Sequence, residues 1–188
     1  LTVGEKNNPI VTSVDISELT SVTAFYCGGQ ALTSFIGHSN LVELDLSANQ
    51  LTGVFDAASV STNLQSLSLA QNQLTEINIS GLVFLSYFDC GNNLLGALNV
   101  NGLVGLVSLY CSSNSLTSLD LSGAPSLQIL YCNGNNINTI YAPFNTSLTS
   151  LDCSNNNLTS LDISGFSLIF LDCGYNSLTS LDVTGTNL

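Results

Sequence analysis

The sequence is almost without positive charge. Lys6 is the only lysine or arginine among 188 residues and His38 is the only histidine, whereas 13 aspartates and glutamates bring the formal net charge to −12. Nucleic acids and anionic membrane surfaces are bound mainly through Lys and Arg side chains, which replace the counterions of the phosphates. The composition therefore predicts that neither nucleic acid nor an anionic membrane surface is a partner.

Long apolar runs are also absent. No stretch approaches the roughly 18–20 apolar residues that span a bilayer, so no membrane insertion is predicted. The first residues, LTVGEKNNPIV, lack the basic start and the apolar stretch of a secretion signal, so any export signal is expected outside this chain. Hydrophobic residues nevertheless make up 45% of the sequence, which is enough for a sizeable core.

A period of about 21 residues runs through the chain, and about eight units fit it. The letters LTSLD begin at residues 116, 148, 158 and 178, and they belong to a longer pattern, L-x-x-L-x-C-x-x-N-x-L. Gln30 takes the place of the asparagine in an early unit. The asparagine itself recurs as Asn49, Asn72, Asn93, Asn114, Asn135, Asn156 and Asn176.

This pattern resembles the leucine-rich repeat family over nearly the whole chain. Units that read LDCSNN followed by LTSLDIS are similar to the cysteine-bearing repeats of bacterial internalins and related surface proteins. The resemblance implies one leucine-rich repeat solenoid over residues 1–188, a curved right-handed coil with little or no α-helix. Its parallel β-sheet would line the concave face, and a second extended segment of each unit would return on the other side. Recognition and adhesion are the functions that the family implies.

Two departures from the family pattern stand out. The letters VTSVDIS at 11–17 are already the second half of a repeat, and Leu188 would begin a ninth unit. Because solenoids need polar caps, we expect a piece of a longer protein or ends covered by neighbouring domains or subunits. The return segment LTGVFDAASVSTN is two residues longer than usual, which predicts a bulge or short helical turn between Phe55 and Asn63.

Six cysteines occupy the sixth place of their units, where Leu46 and Leu69 stand in two others. Since leucine is accepted there, the place is predicted to need an apolar filler, and the thiols to be free and buried. A straight ladder of parallel side chains does not give the tetrahedral convergence of a metal site. Parallel Cβ atoms about 4.8 Å apart also exceed the usual Cβ separation of a disulfide. The six residues are Cys27, Cys90, Cys111, Cys132, Cys153 and Cys173.

The repeated asparagines and aspartates are interpreted as structural. An asparagine at the bend after each strand can pair backbone groups inside the coil, and the aspartates before Ser-Gly turns are expected to do similar work. Stacked carboxylates in solenoids also bind calcium, which stays as an alternative to the prediction of no metal and no cofactor. The ladder in question contains Asp15, Asp120, Asp162 and Asp182, with Asn78 or Asn99 in matching places, and interruptions at Ile36, Phe55 and Tyr141.

No constellation for catalysis is present, so the protein is predicted not to be an enzyme. His38 lies in the polar turn GHSN and is expected to be solvated, and the cysteines point inward, away from any base. Carboxylate pairs lie on a flat repeating surface rather than in a pocket. Three glycosylation sequons, at Asn78, Asn145 and Asn157, would matter only in a eukaryotic secretory host.

The outward places of the concave strands, the third and fifth of each unit, carry aromatic and acidic residues. Tyr87, Tyr110, Ile129 and Tyr131 are expected to form one patch, with two aspartates beside it. Exposed tyrosines flanked by acids are typical of recognition surfaces, although tyrosine also favours strands, so a merely solvated face is the alternative. The predicted binding residues are Tyr26, Tyr87, Asp89, Tyr110, Ile129, Tyr131, Asp152, Phe170 and Asp172.

Two functions follow from these observations. The first is a non-catalytic binding or adhesion module whose concave face presents an aromatic and acidic surface to a protein or glycan. The second is a structural spacer or decoration protein on a larger assembly, such as a cell surface layer or a phage virion. Both place the protein outside the cell or exposed on a bacterial surface or virion.

Overall fold

Short parallel strands dominate the computed structural model, which describes Thr2 and residues 10–188. Eight of the strands form one parallel sheet with the order β2-β4-β6-β8-β9-β11-β13-β14, so that each coil adds one strand beside the last. The coil is therefore a parallel β-solenoid of about eight turns, and the predicted fold class is confirmed. The strands of this sheet are β2 Ala24–Tyr26, β4 Glu43–Asp45, β6 Ser66–Ser68, β8 Tyr87–Asp89, β9 Ser108–Tyr110, β11 Ile129–Tyr131, β13 Ser150–Asp152 and β14 Phe170–Asp172.

The return side of the coil is less regular. Its strands pair in parallel as β1 with β3, β5 with β7 and β10 with β12, in three separate two-stranded sheets. The LTSLD at 148 thus contains a strand of the main sheet, and the LTSLD at 116 contains a return strand, as the period predicts. The return strands are β1 Ser13–Asp15, β3 Ser34–Ile36, β5 Thr52–Asp56, β7 Gln73–Asn78, β10 Ser118–Asp120 and β12 Thr139–Tyr141.

The core lies between the main sheet and the return side, and repeated side chains fill it in ladders. The middle residue of each main-sheet strand points inward, as Phe25, Leu109 and Leu151 do, because successive side chains of a strand alternate between its faces. Five of the six cysteines are fully buried. Cys173, which directly follows the terminal strand β14, is half-buried.

The asparagine ladder joins each coil to the one before it. In the sixth coil, Asn135 accepts a hydrogen bond from the Leu116 N–H and donates to the carbonyl oxygens of Cys111 and Cys132. The other asparagines of the ladder make the equivalent bonds. The residue before each ladder position has a left-handed backbone, and Gly134, with a φ of 67°, is one of the glycines that adopt it without strain.

The long return segment holds the only helix of the described residues, α1 Ala57–Val60. The Asp56 carboxylate caps this helix by accepting a hydrogen bond from the Ser59 N–H at 3.3 Å. The register between β5 and β7 shifts at Gly53 and Val54, which marks a bulge. The helical turn predicted between Phe55 and Asn63 is therefore present, whereas the bulge lies just before that range.

His38 is buried, so the prediction that it is solvated is wrong. Its side chain is 9% exposed, its Nδ1 accepts a hydrogen bond from the Asn40 N–H at 3.3 Å, and its Nε2 has no partner. The reason is its place in the repeat, three residues before the first leucine of the coil, where the residue is buried in six successive coils. The buried residues at this place are His38, Ser61, Leu82, Leu103, Ala124 and Asn145.

Asn145 shares this inward place, which bears on its glycosylation sequon. The side chain is fully buried, with its Nδ2 donating to the Ala124 carbonyl oxygen at 2.7 Å and its Oδ1 unpaired. A fully buried amide is inaccessible to glycan transfer in the folded protein. Among the three sequons, Asn157 is exposed and Asn78 is half-exposed.

Candidate binding face

The outward residues of the main sheet form two parallel rows. The register places the third-place residues opposite one another and the fifth-place residues opposite one another along the whole sheet. All nine predicted binding residues lie on this face. Tyr26 lies apart from the others at one end, three strands from Tyr87, and its hydroxyl donates a hydrogen bond to the Glu43 carboxylate.

Four rings form a continuous aromatic stripe, defined as Tyr87, Tyr110, Tyr131 and Phe170. The ring centroids of Tyr87 and Tyr110 are 5.5 Å apart, and those of Tyr110 and Tyr131 are 5.4 Å apart in an edge-to-face arrangement. The Tyr131 ring lies 6.4 Å from that of Phe170, although β13 separates their strands. Such ring pairs contribute about 0.5–1.5 kcal/mol each beyond simple burial, so the stripe is ordered before any ligand arrives.

The stripe remains open to solvent. Tyr87 is 36% exposed and Phe170 is 46% exposed, while Tyr110 and Tyr131 are half-buried. The sequence pattern predicted a patch that also contains Ile129, which lies half-buried in the same row as Tyr87 and Phe170. The sequence pattern did not predict that Phe170 would extend the stripe. Contact between rings across β13 depends on side-chain rotamers, which strand register does not determine.

The fifth-place aspartates have a structural task that the sequence interpretation missed. In Asp89, Asp152 and Asp172 the Oδ1 atom accepts a hydrogen bond from the backbone N–H two residues later, at 2.9–3.0 Å. This is the turn that short polar side chains favour. The Asp-x-Ser or Asp-x-Gly spacing was the available signal. The Oδ2 atoms have no hydrogen-bond partner among the described residues. Each carboxylate is therefore held in place through Oδ1, while its Oδ2 is free to bind a ligand.

No lysine or arginine within residues 10–188 compensates these acids. Asp152 lies in register with Asp172 on the neighbouring strand. Burial raises the pKa of the Asp89 carboxyl, and the nearby charge of Asp45 raises it further. Burial also raises the pKa of the Tyr87 hydroxyl, with Asp89 adding to the effect. The face therefore carries an uncompensated negative field.

The return side carries the other row of carboxylates, and one of its predicted interruptions is wrong. Asp56 rather than Phe55 lies in register with Asn78, because the bulge shifts the strand, and it accepts a hydrogen bond from the Asn78 Nδ2 at 2.8 Å. Ile36 and Tyr141 do interrupt the row. Hydrogen bonds from Ser122 lower the pKa of Asp120, so this carboxylate serves its own turn.

Nothing on the described residues resembles a catalytic or metal centre. No group of three or more His, Cys, Asp or Glu side chains within residues 10–188 is arranged to hold a metal ion. A cleft of about 240 Å³ lies on the return side between β3, β5 and α1, lined by residues that include Ser34, Val54 and Ser59. The Ser59 hydroxyl in this cleft donates to the Asp56 backbone carbonyl oxygen at 2.8 Å and not to its carboxylate. The concave face is thus the candidate site.

Two family models match the chain. One described as Leucine Rich Repeat matches residues 40–58, 63–85 and 147–169, and one described as Leucine Rich repeats (2 copies) matches residues 104–145. Together the matches take in more than half of the sequence. A comparison with curated proteins gave no match.

Several solved structures are similar to this chain. The functional domain of InlJ (internalin J) from Listeria monocytogenes, which includes a cysteine ladder, is 31% identical with a TM-score of 0.80 over 92% of this chain and 41% of that one. TLR13 in its complex with ssRNA13 is 26% identical with a TM-score of 0.70, over 88% of this chain and 27% of that one. The effector YopM from Yersinia pestis, 22% identical with a TM-score of 0.61 over 90% and 62%, shows the fold alone. The chain spans less than half of the InlJ domain, and the predicted likeness to cysteine-bearing repeats is confirmed.

Proposed function

Because the chain belongs to the leucine-rich repeat family, whose members generally are non-catalytic binding modules, we propose that it binds a protein or glycan partner on its concave face. The observation that carries the proposal is the aromatic stripe. Four rings, each paired with the next, lie on an open sheet, partly exposed and held in place by their neighbours.

The stripe has the properties of an interface centre. Tyrosine and other large aromatic residues dominate the binding energy of protein interfaces, where they bury much area at little cost in conformational entropy. The return side offers no such group, since its exposed large side chains, such as Ile36 and Tyr141, stand in separate sheets. Exposed apolar side chains elsewhere in the described residues, such as Phe84 and Phe144, make no ring contacts, so the concave face supports binding best.

The partner we propose is not nucleic acid. TLR13 was solved in a complex with ssRNA13, but this chain has no lysine or arginine in residues 10–188 with which to neutralise phosphates. The likeness to InlJ from Listeria monocytogenes, whose family resemblance is to bacterial surface proteins, supports a secreted or surface-exposed location. Among the described residues, the four-residue helix is far too short to cross a bilayer.

The test combines binding arrays with a matched pair of variants. The parent protein is applied to arrays of peptides and of oligosaccharides, and every hit is measured again with the double variant Tyr110→Ser and Tyr131→Ser. Serine is already present at outward places, as Ser66 and Ser108, so the fold should survive. Losing two tyrosine anchors should weaken binding by upwards of about 1–2 kcal/mol each.

The control is the double variant Thr117→Ser and Thr159→Ser, at exposed places on the return side. It should bind every hit as the parent does. If no hit depends on the tyrosines, the binding proposal is wrong, and the alternative role of spacer or decoration protein on a larger assembly is favoured.

A further inference from the structure

Asp152 and Asp172 form a like-charge pair that nothing in the described part of the chain neutralises. They lie directly in register on β13 and β14, where strands are about 4.8 Å apart. Like charges opposite each other on neighbouring strands are destabilising. Because backbone N–H groups of Ser154 and Gly174 hold their Oδ1 atoms, neither carboxylate can turn away without losing a hydrogen bond.

Two aromatic rings flank this pair. Tyr131 is in register with Asp152 on the other side of β13, and Phe170 belongs to the same strand as Asp172. The two rings are 6.4 Å apart. Carboxylates and ring faces both attract cations, so the corner formed by these four residues, here called the acidic corner, is complementary to a planar cation.

We propose that the partner is a cationic polypeptide segment that places an arginine side chain in the acidic corner. This inference rests on the proposed binding function of the concave face. Arginine suits the corner better than lysine, because its planar guanidinium both stacks on aromatic rings and forms paired hydrogen bonds with carboxylates. A second copy of this chain does not fit, since each copy carries a net charge of −12 and would repel the other.

Asp89 provides a second point of attachment at a fixed distance. It lies beside Tyr110 on the neighbouring strand, with its Oδ2 unpaired among the described residues. Three strand steps separate β8 from β13, which is about 14 Å. An extended chain covers this distance in about four residues. The partner is therefore expected to present two arginines about four residues apart, running across the strands.

The probe is the peptide acetyl-Gly-Arg-Gly-Ser-Gly-Arg-Gly-amide, titrated into the whole chain at low salt and followed by NMR. Versions with lysine, glutamine or glutamate in place of both arginines serve as comparisons. The arginine peptide should bind more tightly than the lysine peptide, and the glutamine and glutamate peptides should not bind measurably. Added salt should weaken binding, because the corner is partly exposed.

The variant pair Asp152→Asn with Asp172→Asn removes the charge and keeps the turn, since Asn78 and Asn99 already accept the same hydrogen bond on the return side. Binding of the arginine peptide should fall by about tenfold or more, as expected for loss of a charge-assisted pair. The pair Asp120→Asn with Asp162→Asn removes the same charge from the return side. It should change binding by less than about twofold, because it acts only through screened long-range charge.

The outcomes separate this inference from the proposed function. Equal weakening by both aspartate pairs, or equal binding of the glutamine peptide, overturns the acidic corner. If array hits depend on Tyr110 and Tyr131 while the arginine peptide fails to bind, the binding face stands and the cationic partner is wrong. If neither the hits nor the arginine peptide depend on any of these residues, both proposals fail.

Discussion

Asn135 and Leu116 join two coils through a single hydrogen bond of 3.0 Å, from the Leu116 N–H to the Asn135 Oδ1. The same amide donates to the Cys111 carbonyl oxygen of the preceding coil, also at 3.0 Å. One side chain thus pairs both a donor and an acceptor that would otherwise be buried without partners. Because the arrangement repeats, the ladder fixes the register of successive coils.

Replacing Asn135 with alanine should therefore destabilise the fold. Each backbone group left unpaired costs about 1–3 kcal/mol, and at least two groups lose their partner. Urea unfolding should show the loss, together with faster hydrogen exchange in the two coils. The control is Asn136→Ala, at the exposed neighbouring position, which should stay within about 0.5 kcal/mol of the parent. An Asn135→Ala variant as stable as this control would contradict a structural role for the ladder.

The cysteine ladder should make the protein sensitive to alkali. Burial raises the pKa of Cys153 from its ordinary value of 9.0 to about 12, and it raises the pKa of Cys90, Cys111 and Cys132 as well. The unfolded chain therefore releases these protons at lower pH than the folded chain. The contribution to stability is complete below pH 9.0 and is lost progressively as the pH rises towards 12.

Unfolding midpoints measured at a series of pH values between 8 and 12 check this prediction. In the folded protein at neutral pH, a thiol reagent should modify the half-buried Cys173 first and the other five only on unfolding. Rapid labelling of Cys111 in the native state, or a midpoint that does not fall in alkali, would show that the ladder is open.

His38→Leu should stabilise the protein. In two other coils the equivalent inward place is occupied by leucine, as Leu82 and Leu103, whereas at this place the Nε2 of His38 is buried without a partner. Removing such a group gains about 1 kcal/mol, less whatever is lost when the exposed Asn40 N–H turns to water. Thermal unfolding measures the change, and a lower midpoint than that of the parent would contradict the assignment of this place as apolar.

Gly123→Ala should destabilise the packing of two coils. A Cβ atom at Gly123 would lie 2.5 Å from the Asn101 Cα and 2.9 Å from the Val100 carbonyl oxygen, so the backbone must shift. Overpacking of this kind costs about 1–3 kcal/mol. The matched control is Gly96→Ala, where the added Cβ meets nothing within 4 Å. Chemical denaturation measures the free energy of unfolding of both variants. Equal values would contradict the prediction and would mean that the two coils can move apart to accept the added Cβ atom.

The period alone was enough to predict the solenoid, because the leucine and asparagine places of the repeat keep the same environment along most of the coils. The same logic, applied to His38 and Asn145, would have shown that both point inward. The polar letters of GHSN suggested an exposed turn instead, and only counting back three residues from Leu41 corrects this. Asp56 was missed because a bulge, which a regular period does not contain, shifts its strand by one residue.

The candidate site was predictable in part. Strand alternation identified which residues face outward, so all nine were assigned to the correct face. The contact between Tyr131 and Phe170 was not predictable, because it spans two strand steps and depends on side-chain rotamers. The turn bonds of Asp152 and Asp172 were also missed, although the same residue spacing was recognised on the return side.

The hydrogen bonds of the Asn135 amide make one coil the natural unit of insertion or deletion in this molecule. Its bonds extend one coil back and no further, so a duplicated segment of about 21 residues would recreate the bonds that it interrupts. Copying or deleting a coil is then a conservative event that lengthens or shortens the protein by about 4.8 Å while leaving its neighbours undisturbed. Repeat duplication or deletion during evolution can therefore change the distance between two binding points on a partner in steps of one coil, without changing the residues at either point.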